Sequence, residues 1–391
     1  MMDNDVLFPG STIGIIGESP NGYMLSHAAH NLGFKVIAYG VNEESPTLAA
    51  ADVKIVGKMS DKDKLQSFAE RCDIVTYESE QVDANIISFL KKFTKIPQGN
   101  DTLEIAQDRL LERTFLEQNN INIAPYATIV NLDDVYQAVT SIGYPCILKS
   151  IQKGFKREQV IRKQTDIAKC ESIIDMGTYI LESMIPYEKE LSVVVTRDAQ
   201  GEATYFPLVE NVYRKGQLHE TIVPATVDSE IANEVKRLAE IIVTNIKYTG
   251  VLQIAFFLTE TGALYVKKIN PTVDSVGYVF NTATNVSMFE QHLRALAHMP
   301  LAQPELIQPT VMVVVKKQDV DELRAQWLLK DNWHYYFYRY PASMKTGLPE
   351  GHILVLAQTA VAAKEQIEAT GIWDDTVKEQ GLADDLADNQ F

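Results

Sequence analysis

The sequence predicts a chain that is α/β at its start and α+β beyond, on three observations. Residues 11–95 alternate short apolar strands with helical stretches. Residues 178–225 change to strand after strand, and a smaller strand-and-helix region follows the proline-spaced "PLAQPELIQP". Alternation implies a parallel sheet covered by helices, whereas strand after strand implies antiparallel hairpins. A length of 391 residues suggests two or three domains. The expected boundaries are 1–100, 101–300 and 301–375, with an acidic tail at 376–391.

In order along the chain, "STIGIIG" reads as a buried strand, and "GYMLSHAAHNLG" as a helix stopped by Gly33. "KVIAY", "VKIVG" and "CDIVTYE" are the next strands, with helices near 62–71 and 82–92. Asp101 and Glu104 have capping-box spacing and predict a helix start. "RLLERTFLEQNNI" is helical, "PYATIV" extended, "NLDDVYQAVTSIG" helical and "YPCILKS" a strand. After the antiparallel stretch, Ile231, Val235, Leu238 and Ile242 lie at helical spacing on one face. "VLQIAFFLTETGALYVKKI" reads as a hairpin turning at Glu260–Gly262, and "SMFEQHLRALAHM" as a helix. The last region has strands at "TVMVVVKK" and "HILVLAQ" and helices near 320–328 and 359–369.

Composition narrows the function classes. The formal net charge of -16 repels a phosphate backbone, so no nucleic-acid partner is expected. It leaves room for a local basic pocket that holds a small phosphorylated ligand. Cys72, Cys146 and Cys170 show no metal-ligand spacing and read as buried, reduced thiols. No apolar run reaches membrane length, and "MMDNDVLFPGS" lacks the basic and apolar regions of a signal peptide. A cytoplasmic protein without membrane contact is expected.

The glycines after the first strand do not make a nicotinamide site. In "GIIGESPNG", Gly17 and Gly22 are separated by a segment that contains Pro20, and the second strand ends in Tyr39 and Gly40 rather than a ribose-binding acid. The loop could still present N–H groups to one phosphate at a helix N-terminus, or be a turn without a ligand.

Eight stretches, in order, resemble one family: "GFKVIAYGVNEESP", "CDIVTYESEQVDA", "IAQDRLLERTFLE", "YPCILKS", "PYEKELSVVV", "VENVYRKGQLHETIVPA", "GVLQIAFF" and "MFEQHLRALAHMPL". They are similar to 5-(carboxyamino)imidazole ribonucleotide synthetase, the PurK family of ATP-grasp enzymes, over roughly residues 11–355. The resemblance implies a Rossmann-like N-terminal domain, an ATP-grasp domain and a small C-terminal domain, with a homodimer as the expected assembly. It implies a reaction in which ATP and bicarbonate form carboxyphosphate, which carboxylates the amine of aminoimidazole ribonucleotide. ATP is then the expected cofactor, with Mg²⁺ held by carboxylates against its phosphates.

Carried over position by position, the resemblance assigns nucleotide binding to Arg109, to Lys149 at the α-phosphate, to Glu182 and Ile185 at the adenine, and to Glu190 at the ribose. Each of the charged ones, taken singly, also reads as a solvated surface charge. The phosphate-covering loop is "KGFKREQ", with Gly154 its one glycine and with Lys153 and Lys156 as phosphate contacts. Gly17, Gly22, Glu78 and Lys345 match substrate-binding positions.

Other positions depart from the family. Its metal-binding glutamates correspond to Ala255 and Lys268, and its Asn-Glu pair to Lys267 and Lys268. An ammonium group cannot ligate Mg²⁺. At roughly 4 Å it repels the ion by several kcal/mol, even at an effective dielectric near 20. Side-chain alternation along a strand predicts that only one of the two lysines, Lys268, faces the metal position. Thr272 stands for an arginine, and Asp274 and Tyr278 for histidines, in the anionic substrate site. Two functions follow: the family's ATP-dependent carboxylation, or a nucleotide- or anion-binding role without turnover.

Overall fold

The computed structural model describes residues 6–153, 158–175, 177–338 and 348–373. Lys156, Lys345 and the acidic tail lie outside them.

Four short apolar segments form the first sheet: β1 (Thr12–Ile16), β2 (Lys35–Gly40), β3 (Val53–Val56) and β4 (Ile74–Tyr77). They pair in parallel in the order β3-β2-β1-β4. Alternation divides β1 between two cores. Ile13 and Ile15 pack with Leu25, Ala29 and Phe34, while Ile16 joins Tyr39, Phe68 and Val75 on the other face. Strand order reverses between β1 and β4, so their C-terminal ends flank a crevice of the kind that binds ligands in open α/β sheets. Gly17 follows β1 there at φ +146°, and a Cβ on it would meet Glu78 Oε1 at 2.1 Å.

The expected capping box at Asp101 and Glu104 does not form. The helix Asp101–Gln107 starts one residue after Asn100, which makes no side-chain cap. Asn100 instead donates its amide to Glu104 Oε1 at 2.7 Å. The capping box is found at the helix Leu132–Ile142, between Asn131 and Asp134.

A second, antiparallel sheet has β5 (Tyr126–Ile129), β6 (Cys146–Ser150), β7 (Glu158–Ile161) and β8 (Tyr179–Ser183) in the order β5-β8-β6-β7. Cys146, Leu148, Tyr179 and Leu181 face the helix Leu132–Ile142 through Val135, Ala138 and Val139. The period of two then turns Ile147, Lys149, Ile180 and Glu182 to the opposite face.

The third sheet has nine strands: β9 (Lys189–Arg197), β10 (Ala203–Tyr205), β11 (Val209–Arg214), β12 (Gln217–Val223), β13 (Gly250–Leu258), β14 (Leu264–Asn270), β15 (Thr310–Val315), β16 (Trp333–Phe337) and β17 (Gly351–Leu356). Its order is β14-β13-β9-β11-β12-β15-β17-β16, with β10 beside β9. The antiparallel β12–β15 ladder carries the sheet from the central region into the last one. The helix Ser229–Asn245 covers one face: Val235, Leu238 and Ile242 pack on Leu191, Val193, Leu252, Ile254 and Phe256. Glu190, Ser192, Gln253, Ala255 and Phe257 alternate with these residues, so they present the other face.

Candidate functional site: a cleft lined by paired charges

The uncovered faces of the second and third sheets meet across the helix Arg109–Gln118. Asp108 caps that helix through the N–H groups of Leu110 and Leu111, and its turns bury Glu112, Arg113 and Leu116. Arg113 ties the two sheets together. Its Nε donates to Glu182 Oε1 at 2.7 Å and its Nη2 to the Lys267 carbonyl at 3.2 Å. Lys149 donates to Glu182 Oε2 at 3.0 Å. Glu112 takes Lys153 Nζ at 3.1 Å and accepts the Ile269 N–H at 2.8 Å. Arg109 pairs with Glu158 at 3.0 Å and donates to the Ser150 carbonyl. Glu182 is 3% and Lys149 5% exposed, deep enough that an unpaired charge would be costly. Burial alone would raise the Glu182 carboxyl, but Arg113 and Lys149 overcome it and hold the group well below the usual range. For Lys149 burial is the leading influence and lowers the ammonium, against the pull of Glu182.

The β13–β14 hairpin corrects the expectation for the two lysines. Ala255 lies opposite Lys268, but the next pair is Phe256 with Val266, so Lys267 is the extra residue of a bulge. A bulge interrupts alternation. Lys267 reaches Glu190 Oε2 at 2.8 Å and lies over the rings of Tyr213 at 4.8 Å and Phe257 at 5.2 Å. Lys268 also acts on Glu190, and each lysine feels the other. Both ammonium groups therefore serve the cleft face, where uninterrupted pleating would place one.

The donor set does not fit a divalent metal. The family's glutamate positions hold a methyl group at Ala255 and an ammonium at Lys268. Among the described residues, no group of three or more His, Cys, Asp or Glu is arranged to hold a metal ion. Mg²⁺ requires oxygen ligands.

Through Glu112, Arg113 and Lys267, the sequence-derived positions Lys149, Lys153, Glu182 and Glu190 are joined in one network of paired charges, with Arg109 beside it. Lys149 and Glu182 come from the second sheet and Glu190 from the third. Arg109 opens the intervening helix, Lys153 follows β6, and Ile185 lies in the segment from β8 to β9. Glu112 and Arg113 are equally central and were missed. Their signal is the spacing Arg109-Glu112-Arg113-Leu116, one face of a helix whose last member is apolar.

At the β1–β4 crevice, a cavity of about 720 Å³ is lined by Gly17, Glu18, Ser19, Glu78 and Asp83, among others. Glu78 turns its carboxylate into the loop, accepting the Glu18 N–H at 2.7 Å, the Ser19 N–H at 2.9 Å and the Ser19 hydroxyl. Burial raises the Glu78 carboxyl, against these hydrogen bonds. The N–H groups that could have cradled a phosphate already serve an internal acid. Gly22 packs a Cβ-free edge against Thr47. Further along, Asp274 caps the turn Ser275–Val279 and accepts from Asn270 at 2.9 Å. The Tyr278 hydroxyl donates to Asn21 Oδ1 at 2.6 Å, and the Thr272 hydroxyl to Asn270 Oδ1 at 2.8 Å. These side chains brace one another and add no positive charge.

Known proteins match this chain over more than nine-tenths of its length. Residues 11–107 match the Ribonucleotide synthetase preATP-grasp domain and residues 114–289 the ATP-grasp domain. The N5-carboxyaminoimidazole ribonucleotide synthase of Bacillus subtilis (strain 168) is 32% identical over 360 residues, covering 91% of this chain and 94% of that protein. A crystal structure of the ADP complex of an N5-carboxyaminoimidazole ribonucleotide synthetase superposes with a TM-score of 0.91 at 30% identity, over 96% of this chain and 100% of the other. The ADP-complexed N5-carboxyaminoimidazole synthetase from Staphylococcus aureus superposes at 0.88 with 29% identity, over 95% and 99%. On this full-length likeness, the chain belongs to the N5-carboxyaminoimidazole ribonucleotide synthase family of ATP-grasp proteins.

Proposed function

We propose that this chain binds a purine nucleotide, ATP or ADP, in the cleft between the second and third sheets, and does not carry out the metal-assisted carboxylation of its family. The site's own residues can perform the binding steps. Lys149 and Lys153 exchange carboxylate partners for phosphate oxygens, Ile185 supplies an apolar edge for the base, and Glu190 accepts hydrogen bonds from ribose hydroxyls. The ADP complexes of its relatives support this use of the cleft.

The observation that carries the second half is the cleft face of the β13–β14 hairpin, where Lys268 stands across from Ala255 with the bulge residue Lys267 beside it. Phosphoryl transfer from ATP is catalysed almost entirely by positioning and charge neutralisation, in which metal ions bridge the terminal phosphates. This face repels such an ion. The ribonucleotide side changes in the same direction: Glu78 fills its own N–H nest, and Thr272, Asp274 and Tyr278 offer no cation. A cytoplasmic location and a nucleotide-responsive binding role fit these features. Among the described residues, no helix is long and apolar enough to cross a membrane.

The test is ADP release in the presence of ATP, Mg²⁺, bicarbonate and aminoimidazole ribonucleotide, alongside calorimetric binding of ADP. The expected result is binding with no ADP release above the protein-free background. Substrate-dependent turnover would show an intact ligase. Restoring Ala255→Glu and Lys268→Glu together is expected to leave turnover absent, because the crevice and substrate strand have changed as well.

A further inference from the structure

Two lysines on one strand face raise the question of what each neutralises. Lys267 is committed, since its ammonium forms an ion pair with Glu190 and packs on two rings. Lys268 differs. It is half-buried, and among the described residues no carboxylate oxygen lies within 4 Å of its ammonium. Burial opposes its charge, yet Glu80, Asp274, Glu190 and Glu112 outweigh burial and keep the group protonated well above its usual range. These four acids come from four places in the chain: the segment after β4, the turn after β14, β9 and the bridging helix. Lys268 is thus a positive charge that these acids favour, directly across the ladder from Ala255.

We infer that Lys268 is a tethered cation standing where a divalent metal would bridge nucleotide and protein, and that the cleft therefore selects a nucleoside polyphosphate in its metal-free form. This rests on the nucleotide-binding reading above and specifies the ligand's state. A polyphosphate without metal exposes its oxygens to the ammonium groups of Lys149 and Lys268, both of which act on the committed Lys267. A magnesium-bound polyphosphate has those oxygens partly covered. It would also bring a dication to a strand pair that offers a methyl group and a like charge. Lysine supplies three donors and no acceptor, so it can bond phosphate oxygens but cannot share them with a metal at the same place.

Calorimetry on the full chain tests this, with ATP titrated at matched ionic strength in EDTA and then in excess MgCl₂. The dissociation constant is expected to be at least tenfold lower in EDTA. Lys268→Met should weaken binding in EDTA at least tenfold and remove most of the difference, with circular dichroism reporting whether the variant is folded. If it is not, the wild-type comparison still decides. The paired change Ala255→Glu with Lys268→Glu should reverse the preference towards the magnesium complex. Equal or tighter wild-type binding with MgCl₂ overturns the inference while leaving nucleotide binding intact. No heat of binding in either condition removes the nucleotide-binding reading, and the inference with it.

Discussion

Lys267 and Glu190 are 9% and 2% exposed and pair at 2.8 Å. Neither charge can be removed alone without stranding the other. Lys267→Met should destabilise the fold by about 3–5 kcal/mol, the usual cost of breaking a buried ion pair. Adding Glu190→Gln should recover most of that loss, because the partner charge disappears with it. Thermal and urea unfolding of the single and double variants check this; equal destabilisation of both would show that packing rather than charge dominates. The nature of the exchange, one metal-binding acid for alanine and the other for lysine, was legible from residues 255 and 268 because neither a methyl group nor an ammonium can ligate a metal. The facing of Lys267 was not legible. Nothing in "YVKKIN" marks a bulge, since no glycine or proline interrupts it, and strict alternation misplaced that side chain. The ion pairs were hidden for a similar reason. Glu112 and Arg113 read as ordinary helix charges until the helix is seen to lie between two sheets.

At the level of elements, the helix Met288–Leu296 is fastened to both the first and third sheets by one imidazole. His292 Nδ1 accepts the Val251 N–H at 3.0 Å, and its Nε2 lies 3.0 Å from the Thr76 hydroxyl. That hydroxyl already donates to Gln98, so Nε2 carries the proton and the ring is neutral. Burial pushes the His292 pKa down to about 3, and that of His352 likewise to about 3. A histidine depressed in the folded state contributes its stability above the unfolded pKa of ~6.5, and that stability is lost as pH falls towards the folded value. Lowering the pH from 7 to 5 should therefore cost about 2 kcal/mol for each of the two rings. His292→Gln should make that slope shallower in urea titrations at stepped pH. An unchanged slope would place the acid sensitivity elsewhere. Gly250 belongs to the same contact: it has φ +126°, and a Cβ on it would lie 2.8 Å from the ring. Period and punctuation disclosed most of the strands and helices that carry this joint. They did not disclose β16, whose residues Trp333–Phe337 follow a polar turn and are only partly buried, nor β7, four residues long beside a basic segment.

Across the whole molecule, three sheets converge on the cleft. The segment after the first sheet's β4 contributes Glu80, the second sheet Lys149 and Glu182, and the third Glu190, Lys267 and Lys268. The full-length match to relatives that hold ADP and the altered hairpin pull in different directions. The fold is shared with relatives that hold ADP, while the side chains at residues 255, 267 and 268 differ in chemistry from a metal site. Family membership could be read because eight stretches, from strands and helices alike, occur in one order along the chain. The electrostatic character of the cleft needed the three-dimensional arrangement, because the four acids around Lys268 are scattered from residue 80 to residue 274. The most direct measurement is a crystal structure grown with ATP and Mn²⁺, with anomalous scattering used to locate the metal. Nucleotide in the cleft, with Lys268 Nζ beside the terminal phosphates and no anomalous peak between them and residues 255 and 268, is the expected result. A Mn²⁺ ion coordinated jointly by the phosphates and this chain at that place would contradict it.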